Sequence, residues 1–174
     1  MVHSVELLFD HGTEAAVGRM WDDLLAAGIR SLATHRSPSN RPHVTLSVAE
    51  SMDDSVDDAL CGLLDRLPMR CVLGAPTLFG GGRTVTLVRM LVPSEKLLGL
   101  HADVHRVCLP HVSGGPLPHT EPGQWTPHVT LARRVPPDQL ATAMMQPGMF
   151  GDISATAVAL RHWDGNNRVV HPIG

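Results

Sequence analysis

The pentapeptide PHVTL occupies residues 42–46 and recurs unchanged at residues 127–131, 85 residues further along the chain. Five identical residues in a row are unexpected by chance in 174 residues, so the repeat indicates an internal duplication. Each copy follows a polar loop that contains proline, and each lies about midway through one half of the chain. The alternative is that PHVTL is a common strand entry, because Pro suits the start of a strand and Val, Thr and Leu suit its interior.

Side-chain alternation determines what the two copies could do. Successive side chains of a strand point to opposite faces, so His43 and Thr45 share one face, as do His128 and Thr130, while the Val and Leu of each copy face the core. If a pseudo-two-fold axis relates the halves, two imidazoles and two hydroxyls converge on one ligand. Two histidines suit a general base and a general acid at a phosphorus centre, and hydroxyls can donate to its non-bridging oxygens. This chemistry needs no metal and no cofactor, and we expect neither.

The remaining pattern predicts mixed helices and strands. Helices are predicted at residues 11–27, 53–66, 94–108 and 136–145. Strands are predicted at residues 3–9, 43–48, 70–79, 84–92, 128–134, 157–162 and 168–172, with a Gly/Pro-rich loop at 113–123 and a turn at Gly80–Gly82. This order lacks strict strand-helix-strand alternation and contains hairpins, so it favours an α+β fold with antiparallel sheet.

Composition excludes several classes of protein. The length favours one domain, and the formal net charge of −3 excludes a broadly basic nucleic-acid coat. Six aromatic residues with no Tyr argue against wide base-stacking platforms. Three cysteines without CxxC spacing favour a reducing compartment, and neither a leader peptide nor a membrane span is evident, so we expect a cytoplasmic protein.

The two repeats and their flanks resemble the 2H phosphoesterase superfamily, and within it the branch of 2′-5′ RNA ligase-like proteins and RNA 2′,3′-cyclic phosphodiesterases. That family carries two H-x-[T/S]-hydrophobic motifs, and the second commonly follows an aromatic residue and continues into Ala-Arg. Residues 125–133, WTPHVTLAR, match this longer motif throughout, and Phe79-Gly80 is similar to the family's segment between the motifs. The chain departs from the family at residues 3–6, HSVE, where members often carry an Arg-Phe pair, and it has no Tyr in its last hairpin.

The resemblance implies a bilobal α+β fold, with two pseudo-symmetric lobes of antiparallel sheet, outer helices and a central groove. Residues 1–174 are expected to form one such domain, each lobe contributing one motif. The implied activity is metal-independent hydrolysis of a 2′,3′-cyclic phosphate, at RNA ends or in small nucleotides, to a 2′-phosphomonoester, or reversible joining of RNA ends through a 2′-5′ bond. The expected partner is an RNA 3′ end or a small nucleotide, and we expect a monomer.

The resemblance also assigns roles to residues. One histidine is the expected base and the other the expected acid, with Thr45 and Thr130 beside them. We favour His128 as base and His43 as acid, and the pseudo-symmetry leaves the reverse division open. Trp125 is either a stacking surface for a base or a packing residue.

Three arginines are further candidates for binding phosphate. Arg133 comes from the family motif, but alternation places it on the face opposite to His128, so a bulge or a turn must re-aim it. Arg134 has the right parity, and Arg41 is either a phosphate contact or a solvated loop residue.

Two alternatives to this enzyme remain at the level of sequence. One is a module on the same fold that binds nucleotide or RNA without catalysis. The other is a metal hydrolase built on His101 and His105, which lie four residues apart on a predicted helix with Asp103 between them. For these two histidines, exposure on the helix surface is the plainer interpretation.

Overall fold

The computed structural model describes residues 2–174, which form eight strands, four α-helices and four short 3-10 turns. The strands are β1 (His3–Phe9), β2 (His43–Met52), β3 (Met69–Phe79), β4 (Val85–Leu91), β5 (Val112–Pro116), β6 (His128–Val135), β7 (Ile153–Asp164) and β8 (Val169–Pro172). The helices are α1 (His11–Ala26), α2 (Ser55–Leu60), α3 (Glu95–Cys108) and α4 (Leu140–Met144). No helix within the described range is long and apolar enough to cross a membrane.

Three predicted elements differ from the structure, one because of strand pairing and two because of local sequence. Strand β5 lies in the stretch predicted as a loop, because β2 runs on to Met52 and supplies an edge with which the Gly-rich segment pairs. The helix predicted at 53–66 changes to a 3-10 turn at Cys61, next to Gly62, a residue of low helix propensity. The helix predicted at 136–145 keeps only Leu140–Met144 in α-helical form, after a 3-10 turn at Pro137–Gln139.

All eight strands belong to one antiparallel sheet in the order β5-β2-β1-β7-β3-β4-β6, with β8 paired to β7. Strands β7 and β3 pair only near their starts, over Ile153–Ala157 and Met69–Leu73. Beyond that stretch β7 turns to pair with β1, and β3 turns to pair with β4. We therefore call β5, β2, β1, β7 and β8 the first half-sheet, and β3, β4 and β6 the second half-sheet.

The two half-sheets are built alike. Each contains three neighbouring strands that begin with a motif strand. They are β2, β1 and β7 in the first half-sheet and β6, β4 and β3 in the second. The strand that follows each motif in the chain crosses to the other half-sheet, because β3 pairs with β4 and β7 pairs with β1. The expected α+β fold with pseudo-symmetric antiparallel lobes is thus confirmed.

The core lies between the sheet and its helices. Helix α1 packs on β6 and β7, and α3 packs on β2. Both helices begin at a side-chain cap, since Asp10 accepts from the Thr13 amide at 2.8 Å and Ser94 accepts from the Leu97 amide at 3.3 Å. Strand β1 is buried along its whole length, but Glu6 on it borders a cavity, so one central strand supplies both core and site.

Candidate active site

A cavity of about 760 Å³ is bordered by β1, β2, β7, the end of β6 and the segment 30–40 that follows α1. His43 and Thr45 of the first motif line it, together with Arg133 and Arg134 from the end of β6. His128 and Thr130 are not among its lining residues, although β6 approaches β2 and His128 lies close enough to His43 for the two charges to interact. The cavity is therefore centred on the first motif.

Both motif strands keep the predicted alternation. Val44, Leu46, Val129 and Leu131 are at most 1% exposed, while the histidine and threonine of each copy are half-buried on the opposite face. Apolar side chains thus fix the two strands in the core and leave the histidine and threonine of each strand on the opposite, half-buried face, which borders the cavity at His43 and Thr45.

The two imidazoles are held in the same way. The Nδ1–H of His43 donates to the carbonyl of Arg41 at 2.7 Å, and the Nδ1–H of His128 donates to the carbonyl of Thr126 at 2.7 Å. A carbonyl oxygen only accepts, so Nδ1 carries the hydrogen in both rings and a neutral ring keeps its lone pair on Nε2. Each histidine can therefore exchange a proton at Nε2.

The surroundings of His128 disfavour its charged form. Burial lowers the pKa of His128, and the positive charges of His43 and Arg133 lower it further, against the opposite effect of the Thr126 carbonyl. The ring of Phe79 meets the imidazole edge to face, with centroids 4.7 Å apart. His128 is therefore suited to accept a proton.

His43 instead faces a buried carboxylate. Its Nε2 lies 3.6 Å from Oε1 of Glu6, whose side chain is 5% exposed. The other oxygen of Glu6 accepts from both Nε and Nη2 of Arg161 at 2.7 Å, and Ser4 Oγ donates to Oε1 at 2.8 Å. Nε2 of His43 thus faces an oxygen of a buried ion pair, a neighbour that His128 lacks among the ion pairs of the described residues.

Glu6 and Arg161 were missed by the sequence analysis. Glu6 is the one charged residue in an otherwise buried strand, and an acidic residue in an apolar run is a signal that could have found it. Its partners could not be found in this way, because Thr45 and Arg161 flank Glu6 only through the pairing of β2 and β7 with β1.

Two tryptophans anchor the motif strands. The indole N–H of Trp125 donates to the carbonyl of Thr45 at 2.9 Å, and that of Trp21 donates to the carbonyl of Thr130 at 3.0 Å. Trp125 also stacks on His101 with centroids 3.9 Å apart and planes 1° apart, and it does not border the cavity. This placement favours packing over base stacking as the role of Trp125.

The bulge required at the end of β6 is present. The register between β4 and β6 shifts on both sides of Leu87, and Arg134 has a left-handed backbone with φ of 57°. Arg133 and Arg134 are both exposed and both border the cavity. The break in alternation thus brings two consecutive arginines to the same space.

Arg41 lies elsewhere. Its guanidinium pairs with Glu14 of α1, at 2.8 Å from Nε and 2.7 Å from Nη2, and it does not border the cavity. Only the backbone carbonyl of Arg41 serves the site, as the acceptor for His43. The structure therefore does not bring the side chain of Arg41 to the candidate site.

The histidines of α3 do not form a metal site. His101 is 1% exposed, which corrects the expectation of an exposed helix histidine, and its Nε2 lies 2.9 Å from the carbonyl of Thr120. Its ring is 6.5 Å from that of His105, and burial lowers the pKa of His101. Within residues 2–174 no group of three or more His, Cys, Asp or Glu side chains is placed to hold a metal ion. The metal-hydrolase alternative therefore lacks a ligand set in this part of the chain.

Comparison with known families gives one match over most of the chain. The family model of the 2′-5′ RNA ligase superfamily matches residues 14–167, which include both motifs. No curated protein matched the chain.

Solved structures share the fold at low identity. TT0787 of Thermus thermophilus superposes with a TM-score of 0.59 at 14% identity, over 100% of this chain and 96% of that one. Usb1 of Kluyveromyces marxianus gives 0.56 at 15% identity, over 98% and 97%, and E. coli LigT gives 0.54 at 16% identity, over 99% and 94%. Each chain is matched over nearly its whole length, so the likeness concerns the complete fold.

Proposed function

Because the chain belongs to the 2′-5′ RNA ligase superfamily, we propose that it is a phosphodiesterase that opens 2′,3′-cyclic phosphates at RNA ends or in small nucleotides. The observation that carries the proposal is that two imidazoles are fixed at Nδ1 by equivalent carbonyl contacts, leaving both Nε2 atoms to exchange protons. The proposal treats residues 1–174 as one bilobal domain and requires no metal ion. E. coli LigT has been solved in complex with 3′-AMP, which supports a nucleotide as the ligand.

The two histidines divide the proton transfers. Nε2 of His128 accepts a proton from water as the water oxygen bonds to phosphorus, since the lowered pKa of His128 keeps it unprotonated near neutral pH. The P–O3′ bond breaks, and the Nε2–H of His43 donates its proton to the departing 3′ oxygen. Glu6 lies 3.6 Å from Nε2 of His43, the atom that donates, and no carboxylate within residues 2–174 pairs with His128.

The charge that develops on the non-bridging oxygens has donors nearby. The hydroxyls of Thr45 and Thr130 share their faces with the two histidines, and Arg133 lies close enough to His128 to lower its pKa. We assign these three side chains to the phosphate being opened. The tryptophan contacts at the carbonyls of both threonines keep the motif strands in place for this contact.

Product analysis on a panel of nucleoside 2′,3′-cyclic phosphates tests the proposal. We expect a 2′-phosphomonoester as the product, and we expect the rate of its formation to be the same with and without EDTA. His43→Ala and His128→Ala should each lower kcat by about 10²–10⁴-fold, the usual worth of a positioned acid or base. The double variant should lose little more than the poorer single variant, because groups that act as a unit are not additive.

His105→Ala is the matched control, because His105 lies on α3 and does not border the cavity. It should keep full activity. Retained turnover in either motif variant, or inhibition by EDTA, would contradict the two-histidine mechanism. Binding of a cyclic nucleotide without any product would indicate a non-catalytic binding module instead.

A further inference from the structure

One wall of the cavity carries three arginines, of which the proposed reaction uses only Arg133. Arg30, Arg133 and Arg134 all border the cavity and all are exposed. The other arginine on the cavity, Arg161, is neutralised by Glu6. Within residues 2–174, Arg30, Arg133 and Arg134 form no ion pair with a carboxylate. A chain of net charge −3 thus collects three uncompensated cations on one surface.

The position of these arginines is set by the fold. Ser31 forms an isolated antiparallel bridge with Ala132, so Arg30 and Arg133 lie beside one another across the bridge. Ser31 is buried, and its hydroxyl donates to the carbonyl of Trp21 at 2.5 Å, which ties the segment after α1 to that helix.

Arg134, which follows Arg133 on β6, is held in a strained backbone conformation. A left-handed backbone is uncommon outside glycine and tends to persist at functional sites, and Arg134 adopts it with φ of 57° at the bulge. In a regular strand Arg133 and Arg134 would point to opposite faces of the sheet. At this bulge both side chains border the cavity.

The rest of this wall is also ordered by side-chain contacts. The amide of Asn40 donates to the carbonyls of Leu32 at 2.9 Å and His35 at 2.8 Å, which closes the segment 32–40 into a loop. Nη1 of Arg161 donates to the carbonyl of Ser39 at 2.9 Å and connects this loop to the Glu6 pair. The wall that carries Arg30 is therefore joined directly to the surroundings of His43.

Three like charges on one wall repel each other unless an anion lies between them. The phosphate that is opened at the histidines balances the charge of Arg133, but not the charges of Arg30 and Arg134. We propose that Arg30 and Arg134 form a second anion subsite, which binds a phosphate attached on the 5′ side of the nucleoside whose cyclic phosphate is opened. The substrate class is then a nucleotide with two phosphates, such as an oligonucleotide 3′ end, in preference to a nucleoside 2′,3′-cyclic phosphate alone. This inference rests on the proposed function.

Three substrates with the same terminal base test the subsite. They are a nucleoside 2′,3′-cyclic phosphate, its 5′-phosphorylated form and a dinucleotide that ends in the cyclic phosphate. We expect kcat/KM to be about 10-fold or more higher for one or both of the two-phosphate substrates, because a charge-assisted contact to phosphate is strong. The substrate that shows the preference distinguishes a 5′-phosphate from a phosphodiester as the second group.

Variants at the wall should remove this preference. Arg30→Gln, and Arg134→Asn, which tolerates a left-handed backbone, should each bring the ratio of kcat/KM between two-phosphate and one-phosphate substrates close to one. Arg36→Gln is the matched control, because Arg36 is exposed on the same segment but does not border the cavity. It should leave the ratio unchanged.

The outcomes separate the subsite from the proposed function. Equal kcat/KM for all three substrates, or a preference that survives in both Arg30→Gln and Arg134→Asn, overturns the subsite and leaves the cyclic phosphodiesterase intact. If no substrate is turned over, the proposed function fails and calorimetry still tests the subsite. The dinucleotide carrying a terminal 3′-phosphate should then bind the wild type about 10-fold more tightly than the nucleoside 3′-phosphate and lose that advantage in Arg30→Gln. Equal affinities overturn it.

Discussion

The two motif strands share a backbone arrangement but have different neighbours. In the first half-sheet, Thr45 pairs with Glu6 on β1, and Glu6 pairs in turn with Arg161 on β7. These three residues form a row across neighbouring strands. In the second half-sheet, the equivalent row is Thr130, its partner Val88 on β4, and Thr77 on β3, which pairs with Val88. An ion pair beside His43 thus corresponds to an apolar residue and a hydroxyl in the other row.

This difference shows how a duplicated site can divide one reaction. The carbonyl contacts at Nδ1 are the same in both copies, so both imidazoles present the same nitrogen. Glu6 places a negative charge beside His43, whereas burial and positive charge lower the pKa of His128. In the proposed mechanism, acid and base are therefore distinguished by the neighbouring strands and not by the motifs themselves.

Among variants that change the neighbours of the two histidines, removal of the Glu6 carboxylate should have the largest effect. Glu6→Gln leaves Arg161 buried without its partner, which should cost about 3–5 kcal/mol of unfolding free energy. It also removes the anionic oxygen 3.6 Å from Nε2 of His43, so kcat should fall, by less than the roughly 10²–10⁴-fold that a positioned acid contributes. Thermal unfolding and single-turnover kinetics measure the two effects.

A second variant separates stability from chemistry. Glu6→Val combined with Arg161→Thr converts the first row into a copy of the second and leaves no unpaired charge. Stability should recover relative to Glu6→Gln, while kcat stays low. Recovery of kcat together with stability would mean that Glu6 supports the fold and has no part in proton transfer.

Variants beside His128 should have an intermediate effect, which appears in the pH dependence of kcat/KM. A base with a lowered pKa is active down to a pH below the usual 6.5 of histidine, so the acidic limb of kcat/KM should lie below that value. Arg133→Gln removes a cause of the lowering and should move this limb to higher pH. Phe79→Ala opens the ring of His128 to water and should move it further, because burial is the largest cause.

The profile of Glu6→Gln provides the comparison for these variants. Its acidic limb should stay where the wild type has it, since Glu6 faces His43. A shift of the acidic limb in Glu6→Gln and none in the Arg133 and Phe79 variants would reverse the assignment of acid and base.

The smallest effects should come from the tryptophan anchors. Trp21→Phe and Trp125→Phe each remove one N–H donor from the carbonyl of a motif threonine, at a cost of about 1–3 kcal/mol. The loss in kcat should be under 10-fold, and similar for the two variants. Urea unfolding measures the stability, with Trp163 remaining as a fluorescent reporter in both variants. A large loss of kcat in one variant alone would show that the strands are not anchored equivalently.

Much of the site could be predicted because it depends on local pattern. The alternation in PHVTL places the histidine and threonine on one face, and the parity of Arg133 requires the bulge that the structure has. Strand β5 could not be predicted in this way, because its Gly-rich sequence becomes a strand only through the edge of β2. The sequence does not decide between packing and base stacking for Trp125 for the same reason, since its role depends on contacts with Thr45 and His101.

The repeat, the face of each motif residue and the α+β class follow from the amino-acid sequence, since periodicity and propensity act within a few residues of one another. The side chains that surround each histidine depend on the pairing of strands that are distant in the chain. Glu6, Arg30 and Arg161 lie far apart in sequence, and strand pairing brings them to one cavity. Electrostatic interaction depends on distance and burial in space, so two identical pentapeptides acquire different environments and, in our proposal, different tasks.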